Sequence, residues 1–319
     1  MLEVFFAYPW FFVGLITALG LCVGSFSNVV IHRLPVRWDR QVYTSLIETA
    51  DIAVQQPELG LSRVPAQERA QFRPGMEAMG AMLRALMKYL PDETVVKPRS
   101  RCPNCGHGIT AAENVPVLSY LWLRGKCSAC KTPISLRYPL IEAFCGVVAG
   151  LIAWRFGPSV SCAAALLLFF WLVPLAMIDA DTAYLPNEST LPLLWVGLLF
   201  NLFKVFVPLE DAVAGAVIGY LFLAIPAFTF EWLRKMDTPA MGRGDFVLMA
   251  VAGTWFGWGA ILPIVLLSSC VGAAVGIAML AAKRADVMAR IPFGPYIAGA
   301  TLVYLFVGTW LKDWLGLPF

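Results

Sequence analysis

The sequence predicts an all-α polytopic membrane protein of about eight transmembrane helices, with one long loop domain between the first two. Three observations carry this. Of the 319 residues, 59% are hydrophobic and only 14% charged, and the mean hydropathy is +0.71, a balance outside that of ordinary soluble domains. Apolar runs recur at lengths near the ~20 helical residues needed to cross a hydrocarbon core of roughly 30 Å. The cations gather on one side of the alternating spans.

The runs fall at 10–31, 139–153, 160–178, 191–207, 213–230, 246–258, 261–282 and 293–311. The second and sixth are short, and the sixth starts at a Gly-rich turn bearing a carboxylate, as expected of a span lying shallowly or against a polar cavity. The first is too long for a cleavable signal peptide, lacks a basic leader and is followed by Arg33, so it reads as a retained helix. The expected organisation is a first transmembrane helix at 1–32, a cytoplasmic domain at 33–138 and a seven-helix membrane domain at 139–319. With the long segment in the cytoplasm, 21 of the 24 Lys and Arg lie on that side, leaving Arg155, Lys204 and Lys312 opposite. Both termini then lie outside the cytoplasm. A net charge of +3 calls for no nucleic-acid partner.

The cytoplasmic segment has two parts. In 38–98, Met79, Met82, Leu83, Leu86, Met87 and Leu90 recur at helical spacing beside Arg84 and Lys88. This is an amphipathic helix, either on the membrane or core, or packed within its own domain. The second part carries RCPNCGHGI and GKCSACKTP, in which Cys102, Cys105, Cys127 and Cys130 form two C-x2-C pairs 21 residues apart. Paired knuckles of this kind offer four thiolates tetrahedrally to zinc, and a reducing cytoplasm favours metal over disulfides. Gly106, Gly125 and Lys126 supply permissive backbone and a cation beside the thiolates. Four thiolates leave no open coordination position, so the metal staples a fold. Cys22, Cys145, Cys162 and Cys270 stand singly in apolar runs as small core residues. With two histidines in all and no G-x-S-x-G, a serine hydrolase triad has little support.

Acidic residues at a membrane boundary are costly and are functional candidates by default. AMIDADTAYLPNEST holds Asp179, Asp181 and Glu188, and MGRGDFVLMA, with Asp237 shortly before it, holds Asp245. By the topology above, Asp179 ends the third span and Asp245 begins the sixth, both at the cytoplasmic face. Two carboxyls sharing one site cannot easily ionise together, which yields one acid and one base. Such a pair activates water for attack on an amide while the protonated partner polarises or protonates the other side, the chemistry of aspartic peptidases. Gly242 and Gly244 would let the backbone approach a neighbouring helix end or an extended substrate. Taken alone, Asp245 is also what a solvated helix start would carry, and only the pair points to catalysis.

GSFSNVVIHRLP at 24–35, the two cysteine pairs, ENVPVLSYLWLRGKCSAC at 113–130, RYPLIE at 137–142, MIDADTAYLPN, LPLLWVGLL and IPFGPY at 291–296 occur in that order. Over nearly its whole length the chain thereby resembles the bacterial type IV prepilin leader peptidases, bifunctional peptidase and N-methyltransferases that also serve type II secretion. The resemblance implies an intramembrane aspartyl peptidase of the GxGD type whose catalytic pair maps onto Asp179, seven residues before Pro186, and Asp245. It implies cleavage of the basic leader of prepilins or pseudopilins at the cytoplasmic face of the inner membrane. Methylation of the new N-terminus from S-adenosylmethionine would follow, and the cysteine-bearing domain would belong to zinc-containing members. The acidic cluster at 179–188, uncompensated by any cation nearby in sequence, would attract the basic leader. Candidate methyltransferase or substrate contacts are Gly24, Asn28, Arg33 and Glu142. No G-x-G-x-x-G in a soluble strand-turn-helix setting points to S-adenosylmethionine. The chain departs from the family at Thr182, Asn187 and above all Val247, where a lysine commonly stands two residues beyond the second aspartate. Two rival readings are a transporter relaying protons or cations through its boundary carboxylates and a non-catalytic scaffold with a zinc docking module. Apolar span centres with charge concentrated at one face favour the enzyme.

Overall fold

The computed structural model describes residues 5, 8–91, 94–236, 238–282 and 292–315, with 309 and 311–315 described by backbone alone. Asp237 and the basic stretch Lys283, Arg284 and Arg290 lie outside the described residues. The described residues form helices joined by short turns, with two isolated β-bridges. In chain order the helices are α1 Pro9–Gln55, α2 Pro57–Gly60, α3 Arg69–Met87, α4 Leu118–Trp122, α5 Arg137–Phe156, α6 Val160–Thr182, α7 Asn187–Leu202, α8 Leu209–Arg234, α9 Arg243–Phe256, α10 Ile261–Ala281 and α11 Gly294–Leu315.

Every expected apolar run overlaps a helix, although the one at 191–207 outlasts its helix, which ends at Leu202. Five helical segments are long and apolar enough to cross a membrane by length and composition: Pro9–Gln55, Arg137–Phe156, Val160–Thr182, Leu209–Arg234 and Trp258–Ala281. The remaining spans fall on α7, α9 and α11, of which α11 is apolar over Gly294–Gly308. The chain divides into two compact units, one of residues 1–28 with 110–319 and the other of 29–109.

In the larger unit α9 is the hub. It packs on α8 and α7 and also meets α11, which itself lies against α6 and α10, while α5 packs on α6. Every residue of α9 from Gly244 to Phe256 is buried, whereas only 22% and 17% of the apolar windows of the α8 and α10 spans are. The short sixth span is therefore central in the bundle. Its 14 residues rise about 21 Å, less than a hydrocarbon core, and a helix sheathed by others need not reach either interface. Small residues permit the sheathing: a methyl on Gly253 would collide with the backbone of Gly215, and one on Gly219 with the backbone of Met249. At the far end Asn201, fully buried, donates to the carbonyls of Thr254 (2.6 Å) and Trp255 (3.2 Å) and accepts from the N–H of Phe206 and Val207. One side chain thus closes the end of α9 and the loop between α7 and α8.

In the smaller unit the helix that begins with the first span runs on. The first helix does not stop where its apolar run stops: α1 continues through Pro35 to Gln55, 47 residues in all. Charge ends a membrane span, but the i to i−4 ladder is local and continues into water, and Pro35 removes only one bond from it. Helix α3 packs along this extension. Gly80 is buried beside Ala50, and Arg84 holds Asp51 with both carboxylate oxygens at 2.9 and 3.0 Å. Of the two readings of the amphipathic segment, packing within its own domain accounts for the Gly80 and Arg84 face. Phe72, Met79, Met82 and Leu86 stay exposed.

Candidate active site

Asp179 lies in the last turn of α6. That helix ends because Ala183 takes a left-handed conformation (φ 51°) and donates its N–H to the Asp179 carbonyl at 2.7 Å. Thr182 returns its hydroxyl to the Ile178 carbonyl, and the chain turns through Leu185 to Pro186, which precedes α7 with φ −76°. Asp245 is the third residue of α9, after Gly242 in extended conformation, and its N–H donates to the Gly242 carbonyl at 3.1 Å.

Both aspartates are buried, at 4% and 6% exposure. Leu185 joins the helix ends that carry them. Gly244 lies so tightly against Leu185 that an added Cβ would sit 2.5 Å from its carbonyl oxygen, and Gly294 leaves equally little room beside Leu185 and Asp179. The N–H of Gly294, the first residue of α11, donates to Asp179 Oδ2 at 3.0 Å. Each carboxyl therefore faces the positive end of a helix, Asp245 that of α9 and Asp179 that of α11. Gly294 carried no assigned role in the sequence, although IPFGPY contains it.

The same end of the unit holds two ion pairs that sequence separation concealed. Arg137, at the start of α5, grips Asp181 with both guanidinium nitrogens at 2.9 and 2.7 Å. The acidic cluster at 179–188 is thus compensated in space, across 44 residues of sequence, which removes Asp181 from any attraction of a cationic ligand. Arg243 pairs with Glu231 of α8 at 2.9 Å. Val247, in the position of the family's lysine, is buried at 8% exposure on an apolar face of α9.

Three of the other candidates lie where α1 meets α5. Gly24 packs against Glu142 and Cys145, Asn28 donates to the Tyr138 carbonyl at 3.2 Å, and Glu142 Oε2 accepts the Val117 N–H at 2.7 Å. Val117 is held at φ 60°, an uncommon conformation for a β-branched residue. Arg33 belongs to the smaller unit, where it donates to the carbonyls of Thr94 and Val95. Of the single cysteines, Cys145 and Cys162 are buried, while Cys22 and Cys270 face outward.

The two cysteine pairs repeat one backbone pattern. Cys102 N–H donates to the His107 carbonyl and Gly106 N–H returns to the Cys102 carbonyl, both at 2.9 Å. In the second pair Cys127 N–H donates to the Thr132 carbonyl at 2.9 Å, and Lys131 N–H to the Cys127 carbonyl at 3.1 Å. Bridges Arg101 to Gly108 and Lys126 to Pro133 close the two turns. The left-handed residues are Gly106 in the first knuckle (φ 71°) and, in the second, Gly125 before it (φ 67°) and Lys131 after its last cysteine (φ 62°), so both expected glycines take the permissive conformation. Together the pairs provide four thiols that could hold a metal ion.

The helices and the site define a multi-pass membrane protein with two buried aspartates at helix ends gathered around Leu185. Residues 18–156 match the family model of the bacterial peptidase A24 N-terminal domain, and residues 166–277 that of the type IV leader peptidase family. A protein of Aeromonas hydrophila named prepilin leader peptidase/N-methyltransferase is 40% identical over 98% of this chain and 97% of its own. Relatives of the same name from Stutzerimonas stutzeri and Pseudomonas aeruginosa are 43% and 41% identical, over 96% and 97% of this chain and 94% of each of theirs. The chain belongs to the type IV leader peptidase family. No solved structure matches it.

Proposed function

We propose that this chain is an intramembrane aspartyl endopeptidase that removes the basic leader from type IV prepilins or type II secretion pseudopilins and N-methylates the new terminus. It acts from the inner membrane with its site at the cytoplasmic face. The observation that carries the peptidase half is the burial of Asp179 and Asp245 at helix ends that are brought together by the packing of Gly244 and Gly294 on Leu185. Two such carboxyls favour a shared proton, since like charges in a low dielectric cannot both ionise cheaply. The ionised partner takes a proton from water as the oxygen attacks the scissile carbonyl, and the protonated one hydrogen-bonds the carbonyl oxygen and then passes its proton to the leaving amine. With Oδ2 of Asp179 engaged by Gly294 N–H, Oδ1 is left for the water or the peptide. Packing of Gly244 and Gly294 on Leu185 supports their role as spacers that let the helix ends meet. Pro186 sets the turn between α6 and α7.

The relatives' name implies a methyl donor, for which S-adenosylmethionine is the expected source. Gly24 is closed by packing, and Asn28 and Glu142 each spend a polar group on backbone, so they form no cradle that fits such a donor. No step of methyl transfer is drawn through them. Zinc fits better: two knuckles of like hydrogen bonding supply Cys102, Cys105, Cys127 and Cys130, a ligand set whose four thiolates stabilise a fold and leave no coordination position for substrate.

The test is reconstitution of the full chain in lipid with a prepilin, comparing Asp179→Asn and Asp245→Asn with the parent. Both variants are expected to lose leader cleavage while accumulating normally and keeping their zinc. Cleavage that survives either change would end the two-aspartate mechanism. Transfer of labelled methyl from S-adenosylmethionine to pre-cleaved pilin tests the second activity, and failure to label confines the protein to proteolysis.

A further inference from the structure

Asp245 is placed by wherever α9 begins, and that start lacks the usual fastening. Gly242 stands at the N-cap and offers no side chain to the first turn. Farther along, the contact of Gly215 and Gly219 with Gly253 and Met249 fixes how closely α8 and α9 approach, but not the path by which the chain enters α9.

The entry is tied instead to Glu231, in the last turn of α8. Its Oε1 accepts the Ala240 N–H at 2.9 Å, three residues before α9, and its Oε2 accepts Arg243 Nη2 at 2.9 Å, on the first residue of α9. The carboxylate is 15% exposed, so these charge-assisted bonds are only partly screened. The Arg243 guanidinium is further confined 4.2 Å above the Phe228 ring and 5.8 Å from that of Phe246. An acidic residue in a helix's last turn opposes the dipole unless something offsets it. Here two donors from the entry to α9 do so.

We propose that Glu231 is a positioning residue for Asp245: by holding Ala240 and Arg243 it sets the start of α9 so that Asp245 meets Asp179. This rests on the peptidase reading. Glu231 is not a catalytic residue, because its oxygens are committed to the chain leading into α9.

The test uses the full chain reconstituted with a prepilin and reads kcat and KM of leader cleavage separately for Glu231→Gln, Glu231→Ala and Arg243→Ala. Glu231→Gln keeps an acceptor for Ala240 but presents an amide to Arg243, so kcat should fall about tenfold, while Glu231→Ala, losing both ties, should fall on the order of 10²-fold, as displacements near 1 Å do. KM should stay within about twofold, because uniform substrate binding is untouched. Arg243→Ala should fall as Glu231→Gln does, and combining those two should cost no more than either alone. Unchanged kcat in all three variants overturns the proposal. So does a rise in KM with kcat intact, which would mean that Glu231 meets the basic leader itself. If Glu231→Ala fails to accumulate, Glu231→Gln and Arg243→Ala decide the matter. Asp245→Asn is measured in parallel: cleavage there refutes the peptidase reading, whereas loss there with normal Glu231 variants refutes only the positioning role.

Discussion

Replacing Gly294 by alanine separates the chemistry of Asp179 from the stability of the helix that supports it. A Cβ at this position would sit 2.5 Å from Asp179 Oδ2 and 2.6 Å from Leu185 Cδ1, where ordinary contacts begin near 3.4 Å. Either Asp179 or the start of α11 must move by nearly 1 Å. That shift carries the 3.0 Å bond from Gly294 N–H past hydrogen-bonding range. A bond to a charged group contributes about 1.5–3 kcal/mol, which corresponds to about ten- to more than hundredfold in kcat if it is needed in the transition state. Helix propensity works the other way, since alanine is favoured over glycine by about 0.8–1.0 kcal/mol within a helix and somewhat less at its first residue, which offsets part of the roughly 1–3 kcal/mol that the overpacked Cβ costs. The measurement is single-turnover leader cleavage beside thermal unfolding in the same detergent. A large loss of activity with a melting temperature lowered by no more than a few degrees is expected. Parental activity in Gly294→Ala would refute the idea that this N–H holds Asp179 in its working position.

Three further outcomes follow from the same geometry. Asn201→Ala strands two carbonyls and two N–H groups in a buried site, so unfolding should become easier by about 3–5 kcal/mol, seen as a melting temperature lowered by several degrees; an unchanged value would show that water replaces the side chain. Arg137→Ala should cost no more than about 1 kcal/mol because its partner Asp181 is 39% exposed, and a hundredfold loss of cleavage would mean that Arg137 meets the substrate. Cys102→Ser and Cys127→Ser should each lower bound zinc from about one ion per chain, as expected of a four-thiolate site, and quicken proteolysis near the knuckles. Full zinc content in both would exclude that ligand set.

The helices were legible because apolar runs of membrane length leave few alternatives, and each expected run does overlap one. The extent of α1 was not, since a scan for spans stops at His32 and Arg33 while backbone hydrogen bonding continues to Gln55. The aspartates could be picked out as carboxylates at helix ends, and the cysteines by their spacing. What escaped was pairing across long separations: Arg137 with Asp181, Glu231 with Arg243, Gly294 with Asp179. Glu231 did leave one mark, an acidic residue in the last turn of a helix, where the dipole disfavours it. Gly294 left only its place in a quoted motif, for a glycine's use in letting a carboxylate approach a backbone N–H depends on a partner more than a hundred residues away.

The sheathing of α9 separates the helices that carry the two aspartates in how far protein encloses them, completely for Gly244 to Phe256 and over 56% of the apolar window for α6. Bilayer thickness acts on helices that touch acyl chains, through tilt and local thinning, and α9 is enclosed by protein along its whole buried length. Asp245 is thereby insulated from hydrophobic mismatch. Asp179 and Gly294 belong to longer helices at the edge of that enclosure, so acyl-chain length should tune the bundle's chemistry from their side of the pair.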